Sequence, residues 1–244
     1  MARVGLMLYS VRDECELDLA RTLRTVAAIG YEGVELFDLH GHEPGAVRGW
    51  LDELGLVAVS RHAPLDAIDA ELPELAEEAR ALGWRRLAIS WLDPTTLELP
   101  GLTGRIAELA HAARAHGLEL GFHNHDAELR PLSSGRTFLD ELPTELFLEL
   151  DLGWAWYAGA DVLALLARAR GRCPLVHVKD FASRDGREFR PVGDGAVGYE
   201  RLAPAALAAG VEWLLVEQDE AEGSTLEAAA RSFDALTGML AVAA

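Results

Sequence analysis

Four short segments in the second half of the chain end in residues able to bind a cation or move a proton. They are Gly121-Phe-His-Asn-His-Asp126, Leu148-Glu-Leu-Asp-Leu-Gly-Trp154, Val176-His-Val-Lys-Asp180 and Leu215-Val-Glu-Gln-Asp219. Each carries apolar residues of strand character. Side chains two apart on a strand share a face, so His123 with His125, Glu149 with Asp151, and His177 with Lys179 point the same way in pairs. The earlier member of each pair lies deeper and the later one nearer solvent. Imidazoles and carboxylates converging on one point suit a borderline divalent cation such as Mn2+, Zn2+, Co2+ or Fe2+, with Mg2+ the harder alternative. The expected ligands of one such ion are His123, Asp151, His177 and Glu217, with Glu149 below and His125 and Lys179 above.

Plainer roles compete with this for single residues. A strand-end histidine can be a hydrogen-bonded rim residue, and Lys179 next to Asp180 can be a solvated ion pair. Glu149 inside the barrel needs a buried partner, so it is either paired with an arginine or lysine or orients a ligand. Taken jointly on consecutive strands, the set favours the metal.

These segments need a scaffold that aligns their ends. An amphipathic stretch, then glycine, then an apolar run recurs at Gly30, Gly55, Gly83, Gly117 and Gly210. It marks a helix ending in a left-handed cap before a strand. Strands are predicted near 3–8, 33–37, 56–60, 86–91, 118–123, 146–151, 175–179 and 212–217, each followed by a helical pattern. Eight such units without a composition break predict an α/β fold, a closed (β/α)8 TIM barrel, as one domain over 1–244. An open doubly wound sheet would want a glycine-rich turn after its first strand, and Tyr9-Ser-Val-Arg-Asp13 is not one. In a barrel the strand ends share one rim, which adds Glu35, His62 and Trp91 as substrate-facing candidates. Arg190 joins them as a cation able to overhang the mouth, as do Arg12, Arg61, Arg184 and Arg187. The indole of Trp91 is the expected stacking platform for an apolar sugar face.

Composition narrows the partners. The 244 residues carry 22 basic and 40 acidic side chains, a formal net charge of -18. Such a field repels nucleic acid and anionic membrane. The start lacks the pattern of a signal peptide, and Cys15 and Cys173 form no metal or disulfide spacing. The expectation is a cytoplasmic protein, monomer or homo-oligomer, that binds a small sugar or polyol and neither nucleic acid nor membrane.

The same segments resemble the xylose isomerase-like barrel superfamily, and within it the sugar phosphate isomerase/epimerase branch. The resemblance runs from Leu8-Tyr-Ser-Val-Arg12 and Gly30-Tyr-Glu-Gly-Val-Glu35 through the four strand ends to the Pro191-Val-Gly-Asp-Gly195 turn. It implies a metal-dependent enzyme with the ligand positions matched by His123, Asp151, His177 and Glu217. Members include ketose epimerases, inosose dehydratases, lyases of 3-keto-glycosides and type IV endonucleases. The chain departs from the ketose epimerases in one respect: their fifth-strand glutamate, both ligand and acid/base, is replaced by His123. That moves the expectation from two-glutamate epimerisation toward dehydration or elimination on a keto-polyol. The shared chemistry is removal of a proton next to a carbonyl, with Glu217, Lys179, His125 and Glu149 as acid/base candidates. A DNA hydrolase and a non-catalytic sugar- or metal-binding barrel are the alternatives, the first opposed by the charge.

Overall fold

The computed structural model describes residues 3–243. Eight parallel strands close a barrel: β1 (Arg3–Met7), β2 (Gly33–Leu36), β3 (Val57–Ala63), β4 (Arg86–Ile89), β5 (Glu119–His123), β6 (Phe147–Asp151), β7 (Leu175–Val178) and β10 (Trp213–Val216). They follow one another around the barrel in chain order, and β10 pairs back with β1. The expected α/β barrel is thus the observed one. Helices α1 (Arg12–Ile29), α2 (Pro44–Leu54), α3 (Leu65–Leu82) and α4 (Tyr199–Ala209) end on glycines with φ of 120°, 69°, 85° and 91°. A Cβ-bearing residue resists that conformation.

Two apolar layers hold the scaffold. The larger lies between strands and helices. The smaller, Val59, Ala88, Phe147, Leu175, Trp213 and Leu215, fills the interior. Glycine makes room for the large rings there: a Cβ on Gly121 would overlap the Phe147 ring, and one on Gly33 would come within 2.8 Å of Trp213. Small opposite large is how a narrow barrel packs solid. Leu175 and Leu215 precede His177 and Glu217 by two residues on their strands, so this plug forms the floor under the polar strand ends.

The barrel departs from the predicted pattern in three places, each bearing on the mouth. Strand β3 runs on to Ala63, so His62 lies within it rather than beyond it. A register shift between Val34 and Glu35 pairs Glu35 with Ser60. Such irregularities re-aim side chains, and here the Ser60 hydroxyl donates to Glu35 Oε1 at 2.6 Å. After β7 the chain forms a small antiparallel hairpin, β8 (Asp180–Phe181) with β9 (Phe189–Arg190). The buried Asp180 carboxylate accepts backbone N–H bonds from Phe181, Gly193, Gly195 and Val197 at 3.0–3.2 Å, which pins the following turn.

Candidate metal centre and mouth cavity

His123, Asp151, His177 and Glu217 come from β5, β6, β7 and the residue after β10, and all four are buried. Each offers one donor atom within 4.8 Å of the others. A deeper group, His62, His123, Glu149 and His177, meets the same criterion and shares two members with the first.

His177 joins the two levels. Its Nδ1 lies 2.7 Å from Glu217 Oε2 and its Nε2 lies 2.6 Å from Glu35 Oε2. Burial opposes a charged ring, yet Glu149, Glu35 and Glu217 hold its pKa well above the ordinary value. A cation beside Glu217 would take the place of the Nδ1 proton, while Glu35 kept the proton on Nε2. That is the carboxylate–imidazole arrangement that orients a metal-binding histidine. His62 Nε2 bonds Glu149 Oε2 below the mouth and lies 3.4 Å from Glu35. The partner of Glu149 is therefore the His62 imidazole, neither arginine nor lysine.

The deep acids divide their charge. Burial would raise Glu35, but His62 and His177 hold it at about 2. Burial and the charge of Glu35 push Glu149 up to about 7 against the pull of His62. Asp151 is likewise pushed up to about 7 by burial, with Lys179 opposing. His123 is kept well below the ordinary value by burial and then by His177 and His62, so it is a neutral ring at pH 7. Neutral imidazole is the ligating form.

These residues fit a divalent ion. His123 Nδ1 and Asp151 Oδ2, both in the upper group, are buried without a hydrogen-bond partner. Buried polar atoms are rarely left so, and a cation would satisfy both. Two nitrogens and two carboxylates form a donor set suited to Zn2+, Mn2+, Co2+ or Fe2+. Each group has one internal bond, His62–Glu149 below and His177–Glu217 above, and Glu149 Oε1 below is also without a partner; the two carboxylates of the upper set, against one below, better balance a divalent charge and favour the upper one. Replacement of Glu35 by Gln should weaken metal affinity about 10- to 100-fold with the barrel intact. Competition with a fluorescent zinc chelator measures this, and unchanged affinity would remove Glu35 from the support of His177.

The plainer reading of Lys179, a solvated ion pair with Asp180, does not hold. Lys179 is 1% exposed, and its Nζ lies 2.7 Å from Asp219, 2.9 Å from Glu217 and 3.6 Å from Asp151. Asp180 is instead spent on the turn. Asp219 and its contact with Lys179 were not singled out in the sequence; the signal was its place two residues after Glu217, hence on the same side of the chain. Asn124 was missed too, because it faces away from the cavity. Its amide accepts from Asp151 N at 3.1 Å and donates to Asp151 O at 3.3 Å, which fixes the end of β6 against β5.

Above the centre lies a cavity of about 520 Å³ lined by His62, Trp91, His123, His125 and Glu217 among others. His125 is pushed down to about 3, by burial first and Lys179 second, so it meets a ligand as a neutral ring. Glu35 and Glu149 are fully buried beneath the cavity and do not line it. Arg190 does not reach it either: its guanidinium pairs with Glu188 and Glu222 beside a separate cavity of about 380 Å³. The β8–β9 hairpin carries it away from the mouth. Arg61 pairs with Glu78 on α3, Arg184 lies over Trp156, and Arg12 and Arg187 line the mouth.

Fold and strand-end chemistry together define a (β/α)8 barrel with its polar groups gathered at the C-terminal mouth. The chain belongs to the xylose isomerase-like TIM barrel family, whose model matches residues 23–237. It is 22% identical to an inosose dehydratase of Geobacillus kaustophilus (strain HTA426), over 82% of this chain and 80% of that protein. A sugar phosphate isomerase/epimerase from Parabacteroides distasonis ATCC 8503 superposes with a TM-score of 0.79 at 17% identity, covering 96% of this chain and 97% of its own. The IolI protein, whose crystal structure has a bound zinc atom, superposes with a TM-score of 0.77 at 14% identity, with 99% of each chain covered. Among the described residues no helix is long and apolar enough to cross a membrane.

Proposed function

We propose that this protein is a divalent-metal-dependent enzyme of the sugar isomerase, epimerase and dehydratase group, acting next to the carbonyl of a small keto-sugar or cyclitol. The convergence of His123, Asp151, His177 and Glu217 at the mouth, with unpartnered atoms on His123 and Asp151, carries this reading. The inosose dehydratase relative supports it.

When bound, the ion would supply Lewis acidity to a substrate carbonyl and stabilise the enediolate. The chain's own groups divide the proton transfers. Burial would raise Glu217, but Lys179 and His177 hold it well below the usual carboxylate range, which suits an ionised ligand better than a base. Asp219 lines the cavity, and burial raises its carboxyl despite Lys179, so it is the better-matched proton acceptor. Burial opposes the charge on Lys179, but Asp219, Glu217 and Asp151 hold its pKa well above the ordinary value, so it stays an ammonium that steadies both carboxylates, and Asp219, once protonated, can return that proton to the departing hydroxyl. With His123 where a second acid/base glutamate would stand in an epimerase, the set has one strong pair rather than two symmetric ones. That asymmetry favours elimination.

The test is proton NMR in D2O with an inosose or a ketose and protein loaded with Zn2+, Mn2+, Co2+ or Fe2+. Metal-dependent deuterium incorporation, or loss of water, at the carbon beside the carbonyl is expected. Metal bound with no exchange on any keto-polyol would leave the non-catalytic binding barrel as the better account.

A further inference from the structure

Of the 22 basic side chains in this sequence, Lys179 is the one lysine. An ammonium is a compact point charge on a flexible four-carbon stem, where arginine carries a planar fork. Position 179 keeps the compact cation in a chain that otherwise uses arginine throughout, and there it stands 2.7 Å from Asp219, 2.9 Å from Glu217 and 3.6 Å from Asp151. A flexible stem holds a charge among three carboxylates only if its backbone end is fixed. The barrel ladder stops short of it. Strand β7 ends at Val178, whose carbonyl accepts from Glu217 N at 3.1 Å, and one residue beyond Lys179 the chain enters the β8–β9 hairpin.

A side chain from another element supplies the missing anchor. Tyr199, the first residue of α4, is 1% exposed; its hydroxyl accepts from Lys179 N and donates to Lys179 O, both at 2.8 Å. One phenol thus satisfies both backbone groups of the residue, as two strand neighbours would. Burial first, then the charges of Asp151 and Asp180, pushes the Tyr199 hydroxyl well above its ordinary value, so it keeps the proton that it donates. Phenylalanine would fill the same space, and a buried hydroxyl is costly without such partners, so packing alone does not account for it. Gly153, two residues after β6 ends, allows the close approach: a Cβ there would overlap the Lys179 carbonyl and stand 2.9 Å from Lys179 Cβ. Tyr199 and Gly153 do not line the mouth cavity.

We infer that Tyr199 is a positioning residue: its hydroxyl, with the space left by Gly153, fixes the backbone of Lys179 so that the ammonium meets Glu217 and Asp219 together. The hold on the ammonium stands on this geometry alone. Its consequence for turnover rests on the reading of the mouth as a metal-dependent keto-polyol site, in which Asp219 carries the proton.

Tyr199→Phe removes only the hydroxyl. In a chain with one lysine, 15N-lysine labelling gives a single side-chain ammonium resonance, so NMR with and without Zn2+ reads how fast that buried ammonium exchanges its protons with water. Exchange is expected to quicken about tenfold in Tyr199→Phe, as loss of one hydrogen-bonded anchor allows. In Zn2+-loaded protein, kcat on a keto-polyol should fall about tenfold while KM stays within about twofold, a split that a lowered melting temperature alone does not produce. Zinc affinity should stay within about threefold, because the phenol supports none of the ligand side chains. An ammonium signal unchanged in Tyr199→Phe, or unchanged kcat with an active parent, overturns the proposal. Gly153→Ala presses on the same carbonyl and is judged by the same two readouts should the first variant not fold. Quickened exchange with a parent that turns over no keto-polyol would uphold the hold on the ammonium and overturn the enzyme reading instead.

Discussion

Asp151→Asn should retain the fold and lose the metal, with turnover falling on the order of 10³-fold, since Lewis-acid stabilisation contributes several kcal/mol at about 1.4 kcal/mol per tenfold. The substitution is conservative for the scaffold. Asp151 Oδ1 accepts from Trp154 N at 2.7 Å and caps the short helix Leu152–Tyr157, and an asparagine oxygen caps nearly as well. What disappears is an anionic donor. Because the Asp151 carboxyl is raised to about 7 from 3.8, the native state holds a proton that the unfolded chain releases. Stability from that proton is present below about pH 4 and is lost as the pH rises through 7. Glu149, also raised to about 7, acts in the same direction. The metal-free protein should therefore weaken from pH 5 to 8, and Asp151→Asn should flatten that decline. Metal binding needs the ionised carboxylate, so the melting-temperature gain from added Zn2+ should grow over the same interval in the parent and be absent in the variant. His177→Ala should lose the ion too. Elemental analysis reads the metal and thermal melts at four pH values read the linkage; an ion retained in both variants would refute the centre.

Lys179→Met is the second large effect, and it falls on stability. The ammonium is the one lysine or arginine cation among the described residues within 4.0 Å of the carboxylates of Glu217, Asp219 and Asp151. Removing it strands buried negative charge, and breaking a buried pair in this way costs about 3–5 kcal/mol. Methionine fills much the same volume, so packing is largely kept. For a chain of this size the melting temperature should drop by roughly 10 °C. Saturating divalent metal should restore part of the loss, because the ion and the ammonium answer the same carboxylates. A urea titration with and without Zn2+ measures both. A variant as stable as the parent without metal would show that the carboxylates take up protons instead.

The strand ends were legible because their chemistry is local in sequence. His123, Asp151, His177 and Glu217 each close an apolar run, and period-two parity put them on one side without knowledge of the barrel's radius. Parity also placed Glu149 below Asp151, as found. What parity could not give was distance across the interior. The contact between Glu35 and His177 joins residues 142 apart in sequence, and it depends on the register shift beside Glu35. The partners of Lys179 were hidden for the opposite reason. Its neighbour Asp180 looked like a partner, but adjacent residues on an extended chain face opposite ways, and the true partner follows another strand. Arg190 was misplaced because a two-residue hairpin leaves almost no periodic signal, so the path of the loop was invisible.

The clasp at Asp180 separates two kinds of inheritance. Four backbone amides converge on one carboxylate immediately after Lys179, while the hairpin tip around Ser183–Arg187 stands exposed beyond it. Changes of length or sequence at the tip can accumulate without shifting the lysine, so the protein can drift in what it admits to the mouth faster than in what it does there.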